Sequence, residues 1–421
     1  MWTRRGFGLA AGAVGATAAL GVRAQEPLTP EERFLQEGRY LPFYLDMKAK
    51  AAAGDQAAGG MLGQYASFLG DEVTALASTE KPPRAGLERP DLEGAESRDA
   101  MEAILEGAAK TSIVILNEAH NISGHRSFAG QVARALRPLG YDWFAAETFT
   151  NRQQEPAPSI TLYRQGMPFI PDFGWYSRDP VYAEAVREAA RLGYRFAAYE
   201  QMFDQQAPEG ADWEGEIAAR EEAQADNLIA NILSTNPGAK VFVYVGYAHA
   251  MEKPGVGGTW FAARLKAKTG IDPLTIEQSF NWPALNPAHD APHVAAVLER
   301  FAPTAPIVVW KDGATIGSRT HAGQMDLSVF HPRRAPVSGR PGWLAADPLR
   351  KPVEVAVPAF DGTALLQAIR LSESTAGVPA DHFLLTPGQT RATLLLPPGG
   401  YGMRLETEAG IQPMWGTITV A

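Results

Sequence analysis

The 421 residues are too many for one typical domain and suggest about two, at roughly 100–200 residues each. Hydrophobic residues make up 45% and charged residues 20%, enough apolar matter for a large core, and the net charge of −9 with no basic, aromatic-interleaved stretch argues against nucleic-acid binding. Cysteine is absent, which excludes disulfides, thiolate catalysis and cysteine metal sites, so any metal must be held by Asp, Glu and the eight histidines.

The chain opens on a targeting pattern. Arg4-Arg5 precedes a mild Ala/Gly-rich apolar run from Ala10 to Val22, and Val22-Arg23-Ala24 supplies small side chains for cleavage before Gln25. Paired arginines with a weak apolar run predict a twin-arginine signal over 1–24 and a periplasmic or secreted mature chain. No later segment reaches the roughly 18 unbroken apolar residues of a membrane span. Residues 25–98 read as a helical segment followed by a Pro/Arg/Glu-rich connector over 80–98.

From residue 99 to 344 helix and strand alternate. Helices are expected at 99–108, 125–138, 180–192, 214–234 and 258–269. They alternate with apolar strands at Ser112–Leu116, Trp143–Glu147, Tyr194–Tyr199, Val241–Val245 and Pro273–Ile276, with further candidates at Ile307–Trp310 and Leu327–Phe330. The strands lack polar alternation, as strands covered on both faces do. The expected fold class is α/β, a mostly parallel sheet wrapped by helices. Beyond residue 345, Val353–Val357, Ala392–Leu396 and Met403–Glu406 are separated by Pro-Gly turns, which predicts a C-terminal β-sandwich over 345–421, separable from the rest. The aromatic insert Phe169 to Tyr176 is expected as a lid over the site or as core.

In open α/β sheets ligands bind beyond the carboxyl ends of the strands. Here the first strand ends in Asn117-Glu118-Ala119-His120, the second in Glu147, the third in Glu200, the fourth in Gly246-Tyr247-Ala248-His249 and the fifth in Glu277. Two imidazoles with carboxylates can hold one divalent ion beside an open water position. Without a metal the same set can divide into general base and general acid. The competing reading makes these residues structural, as strand-end histidines bonding loop carbonyls and as solvated acids. The same reading covers His289, His293 and His382, the weak candidates Asp326 and His331, and the acidic helix around Arg220-Glu221-Glu222.

The pieces Asn117-Glu118-Ala119-His120 with His125, Ala146-Glu147-Thr148-Phe149, Asp179-Pro180 to Tyr199-Glu200, Arg220 to Asn227 and Val245-Gly246-Tyr247-Ala248-His249 follow one another in a familiar order. Over about residues 100–280 the chain resembles the superfamily that joins erythromycin esterase-like proteins, ChaN-like haem-binding proteins and TraB/Tiki metal-dependent proteases. The resemblance implies catalytic roles for Glu118, His120, Glu147 and His249, supported by Arg220. His120 would be general base or metal ligand, and His249 acid or second ligand. Glu118 and Glu147 would bind the metal or orient the imidazoles, and Arg220 would face a developing oxyanion. His125, Glu200 and Tyr247 join as cofactor-side residues. The implied function is hydrolysis of an ester or amide bond in a small molecule or peptide, metal-assisted or by Glu/His acid–base chemistry. The alternative is a haem or iron binder without turnover. Asn117 stands where Gly is usual in the Tiki-like pattern, and the Glu118–His120 spacing is one residue shorter than in the esterases. The His120–His125 spacing is nearer the ChaN-like pattern.

Overall fold

A computed structural model describes residues 28–84, 86–151, 159–318, 321 and 323–421 of the chain. The twin-arginine segment lies outside the described residues. No described helix is long and apolar enough to cross a membrane.

Four helices come first: α1 (Pro30–Glu37), α2 (Leu41–Ala52), α3 (Gln56–Phe68) and α4 (Glu72–Ala77). Local chemistry sets their starts: Thr29 and Glu32 form a reciprocal capping box on α1, and the carboxylates of Asp55 and Asp71 accept from the first-turn N–H groups of α3 and α4. Next come β1 (Glu96–Asp99), α5 (Ala100–Ala108), β2 (Ile113–Glu118), α6 (Ser123–Leu136), β3 (Trp143–Ala146), α7 (Pro180–Arg191), β4 (Arg195–Ala197), α8 (Trp213–Leu228), β5 (Val241–Gly246), α9 (Phe261–Thr269) and β6 (Leu274–Glu277). They are followed by α10 (Pro292–Phe301), β7 (Ile307–Lys311), β8 (Ala314–Thr315), β9 (Leu327–Phe330) and the single turn α11 (Gly342–Ala345).

These strands form one nine-stranded sheet in the order β1-β7-β9-β6-β2-β5-β3-β4, with β8 on β7. From β9 to β4 every pairing is parallel, and β7 runs against its neighbours at the other edge. The chain is thus mixed α/β with a mainly parallel sheet, as the alternation predicts. Successive residues of the central strands feed opposite cores. Val114, Leu116, Phe144, Phe242 and Tyr244 pack with α5, α6 and α7, while Ile113, Ile115, Ala145, Val241 and Val243 pack with α8 and α9. Both faces being apolar, no polar alternation survives in the sequence.

The differences from expectation are local. The end of the connector expected at 80–98, together with Asp99 of the expected helix, forms β1, whose four residues Glu96–Asp99 are all exposed, so no hydrophobic signal marks it. The long helix expected over 214–234 ends as α-helix at Leu228 and continues as one wider turn, Ile229–Leu233. The aromatic insert is divided: Phe169 and Phe173 are fully buried against Tyr163, and only Tyr176 reaches the site.

The C-terminal strands are antiparallel: β10 (Lys351–Ala356), β11 (Ala364–Arg370), β12 (Asp381–Leu385), β13 (Arg391–Leu396), β14 (Gly399–Thr407), β15 (Gly410–Ile411) and β16 (Trp415–Val420). One sheet pairs β10 with β13; the other orders β12-β11-β14-β15, with β16 on β14. Val355, Leu394 and Leu396 of the first share a core with Leu366, Tyr401 and Leu405 of the second. These sheets are docked closely. Glu406 of β14 accepts the N–H groups of Tyr40 and Leu41 at the start of α2, and Leu365 joins the core of the N-terminal helices. Arg370 and Glu373 pair with Glu184 and Arg187 of α7.

Candidate active site

The parallel register brings the site together. Glu118 pairs with Gly246 at the end of β2 and β5, and Ala146 pairs with Tyr244, so Glu147 emerges one step beyond β3. The β2-β5-β3 edge is where the strand order doubles back, since β5 inserts between β2 and β3. Such switch points are the usual crevices of open parallel sheets.

Glu118 is buried. Its Oε1 accepts from His120 Nδ1 at 2.8 Å, and Arg126 grips both oxygens, Nε to Oε2 at 3.0 Å and Nη2 to Oε1 at 3.1 Å. A carboxylate can only accept, so the shared proton sits on His120 Nδ1, and in a neutral ring Nε2 is the nitrogen free to accept. Arg126 Nη1 also donates to Asp179 at 2.6 Å, and Asp179 accepts from Ser123 Oγ and caps α7 through Val181 N–H. Burial pushes Glu118 up, but Arg126 and His120 outweigh it and hold the carboxyl below its ordinary range. The His120 ring stacks on Tyr176 at 3.9 Å and meets Tyr247 edge-on at 5.0 Å. Its other side lies over Gly246. A methyl group there would fall 2.4 Å from His120 Cε1 and 3.0 Å from Glu147 Oε2, so only glycine admits both side chains.

A second carboxylate–imidazole pair faces the first. His249 is buried, and its Nδ1 donates to Glu221 Oε2 at 2.8 Å. Its Nε2 stands 3.2 Å from Arg220 Nη1 and 3.6 Å from Glu147 Oε1. As a neutral ring it accepts from Arg220; as an imidazolium it donates toward Glu147. Burial pushes His249 down, yet Glu221 and Glu147 outweigh it and the net shift is upward. Arg220 bridges the remaining acids, donating to Glu147 Oε1 at 2.7 Å and to both oxygens of Glu200 at 3.0 and 2.5 Å. Glu147 also takes the Gly246 N–H at 2.6 Å. Burial would raise this carboxyl, but His249, Arg220 and His120 hold it far below the ordinary carboxylate range.

Tyr247 occupies the rim, 38% exposed, with φ of 38°, a left-handed conformation that bulky side chains rarely adopt. Asn117 fastens that turn by donating to the Tyr247 carbonyl at 2.9 Å. Burial pushes the Tyr247 hydroxyl up to about 12, so it stays protonated at neutral pH.

Thus Glu118, His120, Glu147, Glu200, Arg220, Tyr247 and His249 converge. His125 does not join them. It is wholly buried, its Nδ1 accepts the Ala119 N–H at 3.1 Å, and its ring is enclosed by Trp282 and His331. Burial and His331 hold it neutral, far below the ordinary imidazole range. Glu277 turns the other way, to His321, Ser279 and Asn117. His331 bonds Gln278, His382 bonds the Phe68 carbonyl, and Asp326 bonds Thr275. Sequence reasoning missed Arg126, Asp179 and Glu221. Asp179-Pro180 carries a helix-start signal that places Asp179 at the tip of α7. Nothing in the acidic run of α8 separates Glu221 from its solvated neighbours.

The expected cofactors are a divalent ion or a haem. Among the described residues, no three His, Asp or Glu side chains come together as metal ligands. Arg220 fills the space between Glu147, Glu200 and His249 that a cation would need, and Arg126 occupies both Glu118 oxygens. A haem would need an apolar slot beside a reachable imidazole; His125 is sealed, and His249 stands among charges. As arranged, the Arg220-bridged acids do not fit a cation, and neither His125 nor His249 fits a haem.

No family model matches this chain, and no curated protein matches it. Five solved chains are similar in structure. The type III effector HopBA1 is 15% identical, over 50% of this chain and 94% of that one, with a TM-score of 0.31. A bacterial protein toxin structure is 15% identical, over 40% of this chain and 35% of that one, with a TM-score of 0.26. RRSP, a MARTX toxin effector domain from Vibrio vulnificus CMCP6, is 14% identical, over 50% of this chain and 44% of that one, with a TM-score of 0.26.

Proposed function

We propose that this chain is an exported hydrolase of the erythromycin esterase/ChaN/Tiki-like superfamily that cleaves an ester or amide bond by Glu/His acid–base catalysis. One observation carries the reading. Two carboxylate–imidazole pairs, Glu118–His120 and Glu221–His249, flank the Glu147–Arg220 ion pair on the carboxyl edge of the sheet. A general base and a general acid must each be oriented toward the substrate, and here each imidazole is oriented by its own carboxylate.

In the proposed reaction, His120 Nε2 takes a proton from water as the water oxygen attacks the carbonyl carbon. Glu118 steadies the imidazolium that forms. The negative charge on the carbonyl oxygen is met by Arg220 Nη1, freed once protonated His249 turns to Glu147. His249 then gives its Nε2 proton to the departing oxygen or nitrogen as the carbon–heteroatom bond breaks, leaving a carboxylic acid and an alcohol or amine. Solvent returns both rings to their starting states.

The test is a panel of small esters and peptide amides, run on chelator-treated protein, on the same protein with Zn²⁺, Mn²⁺ or Fe²⁺ restored, and beside a haem titration. Turnover that survives the chelator supports this reading. Turnover only with metal restored would move the chemistry to a metal, and a haem absorption band without turnover would replace it with the binder. Export is proposed on Arg4-Arg5 and the cleavage site before Gln25. Changing Arg4 and Arg5 to Lys should trap the precursor in the cytoplasm, and normal export of that variant would refute the twin-arginine route.

A further inference from the structure

We infer that the substrate's leaving group carries an apolar or aromatic face, seated on a wall formed by Trp213, Ile217, Trp260 and Val256. This rests on the hydrolase reading above and adds the substrate class to it.

The wall adjoins the acid. Trp260 packs edge-on against the His249 ring at 5.3 Å. Trp213, Ile217 and Arg220 recur at helical spacing on α8, so the helix that carries Arg220 into the site also presents the two apolar residues beside it. The three side chains converge on Gly257: a methyl group there would lie 2.9 Å from Trp260, 3.3 Å from Ile217 and 3.4 Å from Trp213. Gly257 and Gly258 have φ of 89° and 95°, which turns the chain tightly back on itself, and Gly255 and Gly258 close the turn with two backbone hydrogen bonds of 2.9 Å. Val256 is held at the tip, 84% exposed, and its carbonyl accepts from Trp260 Nε1 at 3.1 Å. Trp213, Ile217 and Trp260 are each only half-buried.

Trp213, Ile217 and Trp260 pack on the buried Gly257 yet keep part of their apolar surface accessible beside the ionised centre, and Val256 keeps most of its own, which leaves room for an apolar occupant. Chemistry selects which part of the substrate that is. The acid must touch the departing atom, so whatever lies next to His249 on the solvent side is the leaving group. The acyl portion would then extend toward His120, whose ring fills the space between Tyr176 and Tyr247. Glycines at the tip keep the wall flat, where any Cβ on Gly257 would fill the space between the two indoles.

The experiment compares benzyl acetate with ethyl acetate, which share an acyl group. In parallel, saturation-transfer NMR follows the binding of benzyl alcohol, a readout that needs no turnover. The expected result is a kcat/KM preference for the benzyl ester of tenfold or more, carried mainly by KM. Trp213→Ala should reduce that preference to about threefold or less and remove the benzyl alcohol signal. Val256→Glu, which alters only an exposed tip, should do the same without disturbing packing. Hydrolysis without a benzyl preference, or with one that survives both substitutions, would overturn the subsite and leave the hydrolase standing. Benzyl alcohol binding that both substitutions abolish, in a protein that hydrolyses neither these esters nor any ester or amide of the panel above, would uphold the apolar site and refute the hydrolase. Neither binding nor hydrolysis of any of these substrates would refute both.

Discussion

At the scale of single residues, the two imidazoles differ in how they are held. His120 keeps a half-open ring between two tyrosines, while His249 is buried with its Nδ1 fixed by Glu221. Glu221 contributes most among the charges that raise His249 against burial, and the sign of its effect follows. Because the folded-state pKa is raised above the ordinary 6.5, the imidazolium adds stability that is fully present below pH 6.5 and lost as pH rises through the folded value. As general acid it should also set the basic limb of kcat/KM above that ordinary value. Glu221→Gln should therefore move the basic limb to lower pH and reduce kcat/KM by roughly 10–100-fold, the loss typical when a residue that orients a functional imidazole is removed. A pH–rate profile of the variant checks this; an unmoved basic limb would deny Glu221 the role. That role was unreadable in the sequence. Glu221 sits between Arg220 and Glu222 in an acidic helix, and only the packing of α8 against α9 decides that it is buried while Glu222 pairs with Arg264 and Lys268 at the surface.

At the scale of elements, the strand ends carry the argument. That Glu118, Glu147, Glu200 and His249 converge was legible because parallel strands with crossover helices place all their carboxyl ends on one edge. The same logic failed for Glu277. Its strand β6 lies on the far side of β2 from β5, so its carboxylate meets Asn117 and His321 instead. It failed for His125 too, because five residues past His120 is one turn into α6, on the face that packs inward. Register leaves one position with no tolerance. Gly246→Ala would push its methyl into His120 and Glu147, both held by other bonds. It should cost at least about 1–3 kcal/mol in overpacking and displace His120 from its place between the tyrosines. Loss of turnover with a lowered but cooperative melting transition is expected; wild-type turnover would show that His120 need not sit there.

At the scale of the whole molecule, the two ends of the described chain are joined. The sequence predicts a separable C-terminal unit from the change in texture near residue 345, and the strands do form antiparallel sheets of their own. What composition could not reveal is their attachment. Arg370 and Glu373 complete ion pairs with the buried Glu184 and Arg187, and Glu406 closes the start of α2. Truncation before these strands removes at once the acceptor at the start of α2, the Leu365 packing and both outer partners of the Glu184–Arg187 pair, against a total stability of about 5–15 kcal/mol. A chain stopped at Pro341 should therefore lose α1 to α4 as ordered helices and unfold far below the intact protein. Calorimetry of the truncation, with amide exchange on the helices, checks this. A truncation that keeps those helices protected would restore the separable unit.

The turnover of His120→Ala and His249→Ala, each measured on its best ester beside a circular dichroism melt, tests the paired-imidazole mechanism most directly. General acid–base groups contribute roughly 10²–10⁴-fold each. The prediction is a fall of that size in both variants, with the fold and the cooperative transition retained. If either variant kept wild-type turnover while melting normally, the paired-imidazole mechanism would be contradicted.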